Sequence, residues 1–365
     1  MVRSLTRPEH EHYDTVVAGA GPAGIMAARE AATRGSVLLV EISKLPRYKS
    51  CGGMLHPDTQ AFIAPFGPVP PEIILEPDHV SFRYVDWDRG VRKPTSTRFL
   101  NVDRPGFDNW LLGTLPAGVE LVEGWALETF TQDEHGVRIA LTGAEGQRRV
   151  YCDNLVGADG ARSVVRRTLG IGSVATYVTL QDWVRLDGEI EPFFDCIYMR
   201  DVGDCFAYGY VVPKSDKAIV GSVYYPKTRR PHEKQDYTLR ILREAMPQLK
   251  ETLRREAWVA LQVRSKGDVV LGKQRVLLAG EAGGFMSPTS GEGISYALRS
   301  GSLAGKAVAA SSPDAALAAY AAATRPLQRD IRRRLRFLPV MESDFGKYLG
   351  GITPTPIVSY MTRGL

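Results

Sequence analysis

The chain has 365 residues, 44% of them apolar and 24% charged. That is the balance of a globular protein with a sizeable core, and it excludes a disordered, collagen-like or coiled-coil chain. The net charge is +5, but residues 325–336 hold six arginines and one aspartate, so the remainder is electrically neutral and offers no broad basic surface to a nucleic acid.

The first twelve residues are polar, with no apolar stretch of a signal peptide, and read as a loose tail. No apolar run reaches 18 residues, so no transmembrane segment is predicted. Tyr13–Ala18 is a short buried strand, Gly19–Gly24 a turn, and Ile25–Arg34 an alanine-rich helix ended by Gly35. Ser36–Glu41 follows as a second strand, which makes a β-α-β unit with parallel strands. Within it, Gly19-Ala20-Gly21-Pro22-Ala23-Gly24 fits the dinucleotide fingerprint G-x-G-x-x-G. Gly19 serves the tight turn, Gly21 admits a pyrophosphate to the backbone, and Gly24 lets helix and strand pack closely. The helix N-terminus offers free N–H groups to phosphates. Glu41, 22 residues after Gly19, suits a ribose hydroxyl pair and argues against a 2′-phosphate.

Further strands are expected at His79–Trp87 and Arg98–Val102, then a short helix running through Trp110 and Leu112. Strands follow at Val119–Val122, Ala126–Thr131, Val137–Leu141 and Arg149–Val156. Residues 174–225 are strand-like and rich in aromatics, with a turn at Arg200–Gly203. Asp236–Trp258 reads as a helix with Leu239, Leu242, Met246, Leu249 and Leu253 on one face. Arg275–Ala279 is a buried strand, and a glycine-rich loop leads to a helix over Gly293–Ala310. The tail is helical from Pro313 to about Phe337, then rich in proline and glycine. On its basic stretch Leu327, Ile331, Leu335 and Leu338 share one face, and Arg329, Arg332, Arg333 and Arg336 the other. A solvated outer face is the plain reading of these arginines; weak contact of 325–338 with an anionic membrane surface, or with an acidic partner, is the alternative.

Two later segments repeat the strand–turn–helix form. They are Leu155-Val-Gly-Ala-Asp159-Gly160-Ala-Arg-Ser163 and Arg275-Val-Leu-Leu-Ala-Gly280-Glu281, the latter continuing to Gly291-Glu-Gly293-Ile294. With the first fingerprint, they make the chain resemble the FAD-dependent oxidoreductases related to aromatic hydroxylases and geranylgeranyl reductases. The resemblance implies FAD as cofactor, with Asp159 and Gly160 in a second FAD motif. It also implies that Glu281, where aspartate is usual, holds the ribityl chain, and that Gly291, Gly293 and Ile294 present a helix N-terminus to the flavin. Cys51-Gly52-Gly53 resembles the C-G-G stretch that covers the flavin ring in the geranylgeranyl reductase branch. The stretch around Arg104 resembles a segment whose arginine contacts the cofactor. Tyr208-Gly-Tyr210-Val-Val-Pro213-Lys214 with Gly221 resembles that branch's Y-x-W-x-F-P-K…G motif, with Tyr210 replacing tryptophan and Val212 replacing phenylalanine.

The expected fold is therefore α/β. A Rossmann-like FAD-binding domain is assembled from 13–70, 98–172 and 268–312. An antiparallel substrate-binding sheet domain comes from 71–97 and 173–267, and a C-terminal helical segment from 313–365. The implied activity is that of an oxidoreductase on a small hydrophobic substrate. The leading expectation is oxygenation of an aromatic or heteroaromatic compound through a peroxyflavin. Reduction of a C=C bond in a prenyl or other hydrophobic substrate is the alternative, and a non-catalytic flavin-binding sensor or partner protein is the reading of another class. No second G-x-G-x-x-G follows a strand, so NAD(P)H is expected to reach the flavin only transiently. Candidates near the flavin are Cys51, His56, Tyr208 and Tyr210. Cys51 reads as packing in a tight turn, since no neighbouring cysteine resolves a disulfide, and His56 as a polar loop residue. Cys196 and Cys205 flank the 200–203 turn and are expected to face each other across a hairpin as two buried thiols. Four cysteines without zinc spacing predict no metal site and a cytoplasmic location.

Overall fold

A computed structural model describes residues 3–172, 174–200 and 205–362; the side chains of residues 3, 205–208, 361 and 362 lie outside that description. Its first sheet has nine strands, in the order Arg3–Leu5, Val119–Glu123, Val37–Glu41, His12–Ala18, Gly146–Gly157, Val276–Leu278, Gly272–Lys273. The pairs from Arg3–Leu5 to Val276–Leu278 are all parallel. Trp125–Gln132 and Val137–Gly143 extend the sheet antiparallel beside Gly146–Gly157. The two-residue period of a strand sorts its side chains between two cores. Val17, Leu39, Leu121, Val156 and Leu277 pack on one side with Ile25, Met26, Phe107, Leu111 and Leu298 from helices. Val16, Leu38, Val122, Leu155 and Leu278 pack on the other with Trp125, Ile139 and Val165.

The second sheet has eight strands, in the order Leu249–Leu261, Thr176–Leu186, Lys217–Tyr224, Cys205–Lys214, Phe193–Tyr198, Ile74–Asp86, Val91–Val102, Met54–Leu55. It is antiparallel except for one parallel pair, Ile74–Asp86 with Phe193–Tyr198. One face packs Leu180, Val184, Val211 and Val220 against Leu239 and Leu242 of the helix Pro231–Ala245. The fold is thus the α/β class that the sequence predicts, with two sheets and intervening helices.

Several elements differ from expectation. The first β-α-β helix is Pro22–Ala31, starting a turn earlier because Pro22 has the fixed φ of a first helical residue. The N-terminal stretch is no loose tail: Arg3–Leu5 adds an edge strand to the first sheet. The helix expected over Asp236–Trp258 is two elements, Pro231–Ala245 and the strand Leu249–Leu261. Pro247 disfavours the helical region for Met246, which sits at φ −127° and ψ 81°. The supposed apolar stripe is then split, with Leu249 buried and Leu253 about half exposed. The strand Val91–Val102 lies whole in the second sheet, so the boundary drawn at 97/98 falls inside it. The proline- and glycine-rich tail folds into three short helices, Leu338–Glu342, Asp344–Gly350 and Thr355–Thr362. They dock on the second sheet, where Tyr84 Oη donates to the Lys347 carbonyl at 2.5 Å and Val358 joins the cluster of Phe82 and Tyr84. Residues 201–203 of the expected turn lie outside the described residues. Cys196 is opposite Tyr210 and Cys205 opposite Tyr224, so the two cysteines do not face each other, and Cys196 is half-buried and in no disulfide.

The basic helix Arg325–Leu335 buries Leu327 and Ile331 as predicted, and Leu338 just beyond it, while Arg329, Arg332, Arg333 and Arg336 are exposed. Arg334 departs from that division, being fully buried. Its Nε lies 2.5 Å from Asp330 Oδ2, and its Nη1 donates to the Tyr360 carbonyl at 3.1 Å and Ser287 Oγ at 3.5 Å.

Helices Pro22–Ala31 and Ile294–Ala310 cross at backbone contact. A Cβ on Gly301 would sit 2.0 Å from the Ala23 carbonyl oxygen, and one on Gly305 2.4 Å from that of Ala27. Both obstacles are backbone, so relief requires the helices to separate. Gly301→Val is expected to lower unfolding free energy by about 1 to 3 kcal/mol, seen as a lower urea midpoint at unchanged slope.

Candidate functional site

One cavity of about 1120 Å³ runs between the two sheets. Gly19, Gly21, Pro22, Ala23, Glu41, Cys51, Gly52, Gly53, His56, Arg104, Asp159, Gly160, Tyr210, Gly280, Glu281, Gly291, Gly293 and Ile294 all line it. Gly19 and Ile294, at opposite ends of this set in the sequence, are therefore brought to a single wall. Gly24 is the exception among the fingerprint glycines. It lies beneath the turn, where a Cβ would come 1.7 Å from the Gly19 carbonyl oxygen. Gly19 itself has φ +97°, which glycine adopts without strain. Of Tyr208 only the backbone is described, in the strand Cys205–Lys214.

At the dinucleotide end, Glu41 is buried at the tip of its strand and takes the Ala20 N–H at 2.8 Å. Arg47, which no motif singles out, lies beside it with Nε 3.4 Å from Glu41 Oε2. Asp159 turns its carboxylate onto the next helix, accepting from Val164 N–H at 2.6 Å and Val165 N–H at 3.1 Å. Burial pushes its pKa up, and the hydrogen bonds from Ser163 and these amides oppose the rise. Glu281 pairs through Oε1 with Lys49 Nζ at 3.0 Å, while its Oε2 is buried without a protein partner. The helix Ile294–Ala310 starts at Gly293 with no side-chain cap. In its first turn the Ser295 N–H is taken by Glu292 Oε1 at 2.7 Å.

In the middle, the Cys51-Gly52-Gly53 turn lies over buried cations. Arg104 pairs with Asp108 at 2.8 Å and hydrogen-bonds Cys51. Lys214, the last residue of its strand and 2% exposed, donates to Asn101 Oδ1 at 2.5 Å, Val102 O at 3.1 Å and Gly53 O at 3.2 Å. Its own position in an apolar strand was the one signal of this burial. His56 caps the helix Pro57–Ile63, its Nδ1 accepting the Asp58 N–H at 3.2 Å, so that nitrogen is engaged structurally.

The far end is an aromatic chamber. Phe82, Phe99, Phe194 and Tyr210 belong to its sheet wall, and Val340, Leu349 and Ile357 to the C-terminal helices opposite. Tyr210 lies flat across Gly221 on the adjacent strand, where a Cβ would meet its ring at 2.3 Å. The phenol oxygen thereby reaches Gln181, whose Nε2 donates to it. Burial pushes the Tyr210 pKa up, so the phenol keeps its proton at neutral pH. Gln181 Oε1 and Thr179 Oγ1, from the same strand face, are buried without protein partners and line the cavity. Alternation placed these two polar side chains on one face with Tyr177, but not which face meets the cavity.

Burial pulls the Lys214 pKa down from its ordinary value to about 7, while Cys51 and Asp103 act to raise it. The unfolded chain binds this proton up to about pH 10.4. Between these values the folded chain holds fewer protons, so this residue makes stability rise with pH. Lys214→Met is expected to flatten that rise between about pH 7 and 10, followed by thermal unfolding at matched ionic strength.

The chain matches the FAD binding domain family over residues 95–334. It is 31% identical over 330 residues to protein CbrA of Escherichia coli O9:H4 (strain HS), covering 87% of each chain. The CbrA of Escherichia coli (strain K12) is 30% identical over 330 residues, covering 87% of this chain and 90% of that protein. Among solved structures, a geranylgeranyl bacteriochlorophyll reductase-like protein from Thermoplasma acidophilum superposes with TM-score 0.80 at 19% identity, over 97% of this chain and 92% of that one. The flavin-dependent brominase Bmp2 superposes with TM-score 0.75 at 16% identity, over 96% and 93%. The fold, the fingerprint cradle and the family match agree: the chain belongs to the FAD binding domain family, and it is an FAD-dependent oxidoreductase.

Proposed function

We propose that this oxidoreductase acts on a hydrophobic small molecule held in the aromatic chamber, and that reduction of a C=C bond is the reaction its geometry supports best. The observation that carries this reading is the continuity of the cavity. A cradle built for a dinucleotide opens directly into an apolar chamber, with a protonated phenol, Tyr210, in its wall.

The residues present fit FAD. In this reading Gly19, Gly21 and the helix behind Pro22 hold the pyrophosphate, and Glu41 the adenosine ribose. The unpartnered Glu281 Oε2 is free to accept a ribityl hydroxyl. Asp159 and Gly160 complete the cradle, Gly280 and Gly291 to Ile294 border the flavin, and Cys51 to Gly53 with Arg104 cover its ring. Bound FAD supplies two-electron redox chemistry. Saturating a double bond takes two electrons and two protons, and Tyr210 is the group placed to give one proton to the substrate. Gln181 fixes its oxygen and leaves the O–H directed elsewhere. NAD(P)H is the proposed reductant, arriving transiently.

Oxygenation of an aromatic or heteroaromatic compound is the second reading, favoured by the ring contacts of the wall. Phe82 and Phe194 lie 5.9 Å apart and Phe194 and Tyr210 5.2 Å, a surface suited to a planar ring. Turnover of a polyprenol and of a phenol, each with and without oxygen, separates the two. Saturated product under anaerobic dithionite supports reduction; oxygen uptake in step with substrate, and no anaerobic product, supports oxygenation.

Two substitutions test the roles. Glu281→Ala is expected to weaken FAD binding about tenfold or more, read by fluorescence titration of deflavinated protein. Tyr210→Phe is expected to keep flavin content and lower kcat by about tenfold to a thousandfold. Unchanged kcat would remove Tyr210 from proton transfer.

A further inference from the structure

We propose that the C-terminal face around the basic helix Arg325–Leu335 is a docking surface for an anionic lipid bilayer. Of ten large apolar side chains exposed among the described residues, six fall within residues 337–357: Phe337, Val340, Phe345, Tyr348, Ile352 and Ile357. Such clustering over one short stretch marks an interaction surface rather than scattered exposure. Phe345 and Ile352 are the most open, at 67% and 61%. The three short helices that carry these side chains already bury another side against the second sheet, through Leu338, Lys347 and Val358. Arg89 covers the Tyr348 ring at 4.1 Å and Phe337 meets Tyr360 edge to face, which leaves Phe345 and Ile352 as the most open apolar side chains of the stretch.

Charge decides the occupant. Arg325, Arg329, Arg332, Arg333 and Arg336 are exposed, and none makes an ion pair among the described residues. The acidic groups nearby are mostly engaged elsewhere. Asp330 is taken by the buried Arg334, and Glu342 by Arg264 at 2.7 Å. Asp344 is exposed, with Lys347 Nζ at 4.0 Å. Because the rest of the chain is neutral, an anionic surface attracts the molecule by this side. Arg333 and Arg336 precede Phe337 and Val340 by four residues in a chain that keeps turning helically through Phe337 and Met341. Basic groups thus flank apolar ones, the pattern of a segment lying in the headgroup region.

The same face is the mouth of the chamber. Phe337, Val340 and Ile357 are exposed and also line the cavity, as is Trp258 on the facing strand. A docked molecule would therefore open its chamber toward the acyl chains, and its substrate would be a lipophile dissolved in the bilayer. This last step rests on the reaction proposed above; the docking does not.

The test is flotation of the flavin-loaded full chain with vesicles, which reads no turnover. Vesicles of phosphatidylcholine with about one third phosphatidylglycerol are expected to carry the protein, and phosphatidylcholine alone about tenfold less. Added salt should weaken the binding. The double variants Arg329→Glu/Arg333→Glu and Phe345→Ser/Ile352→Ser should each reduce flotation about tenfold while keeping flavin content and melting temperature, because all four side chains are exposed. Failure of the parent protein to float with anionic vesicles, equal flotation of parent and variants, or self-association through this face without vesicle binding overturns the proposal. Loss of the reductase reading alone would leave flotation unchanged.

Discussion

The close crossing of two helices is the constraint from which the rest of this structure follows. Gly301 and Gly305 let Ile294–Ala310 touch the backbone of Pro22–Ala31, and Gly280 lets the loop before it approach Ala23. Larger residues at these positions would hold the third nucleotide segment away from the first. With the helices touching, Gly19, Gly21, Glu281 and Gly293 share one wall although they span most of the sequence. The N-terminal ends of both helices then meet the same space: the first carries no side-chain cap and offers its free amides there, while Glu292 takes the Ser295 N–H of the second at 2.7 Å.

The cradle was legible from the sequence because its chemistry is local. A turn that needs glycine at φ +97°, a proline at the first helical position and an acid at a strand end each leave a mark within a few residues. The chamber was legible only in part. The aromatic run was visible, but whether its side chains meet a helix or a cavity depends on which face the partner elements choose. Lys214 shows the same limit. Its neighbours Asn101, Val102 and Gly53 come from segments far away in sequence, so beyond the apolar strand it ends, nothing near residue 214 announces its burial or its partners.

Misread elements have equally physical causes. Leucines at 239, 242, 249 and 253, with Met246 between them, keep helical spacing across Pro247, but periodicity carries no information about a missing N–H. The strand that follows lies at a sheet edge, where long polar side chains mask the two-residue alternation. The C-terminal tail was hidden for another reason. Its three helices are short, and packing against the second sheet rather than intrinsic propensity holds them.

Arg334 links the two halves of the molecule in a way neither half reveals alone. One guanidinium reaches Ser287, in the loop that borders the cradle, and the carbonyl of Tyr360, in the last helix over the chamber. A side chain that spans both cannot relax toward one without loosening its hold on the other. The buried arginine is thus a single tie between the loop of Ser287 and the C-terminal helix of Tyr360, and its loss would leave a buried hydroxyl and a helix-end carbonyl each without this donor.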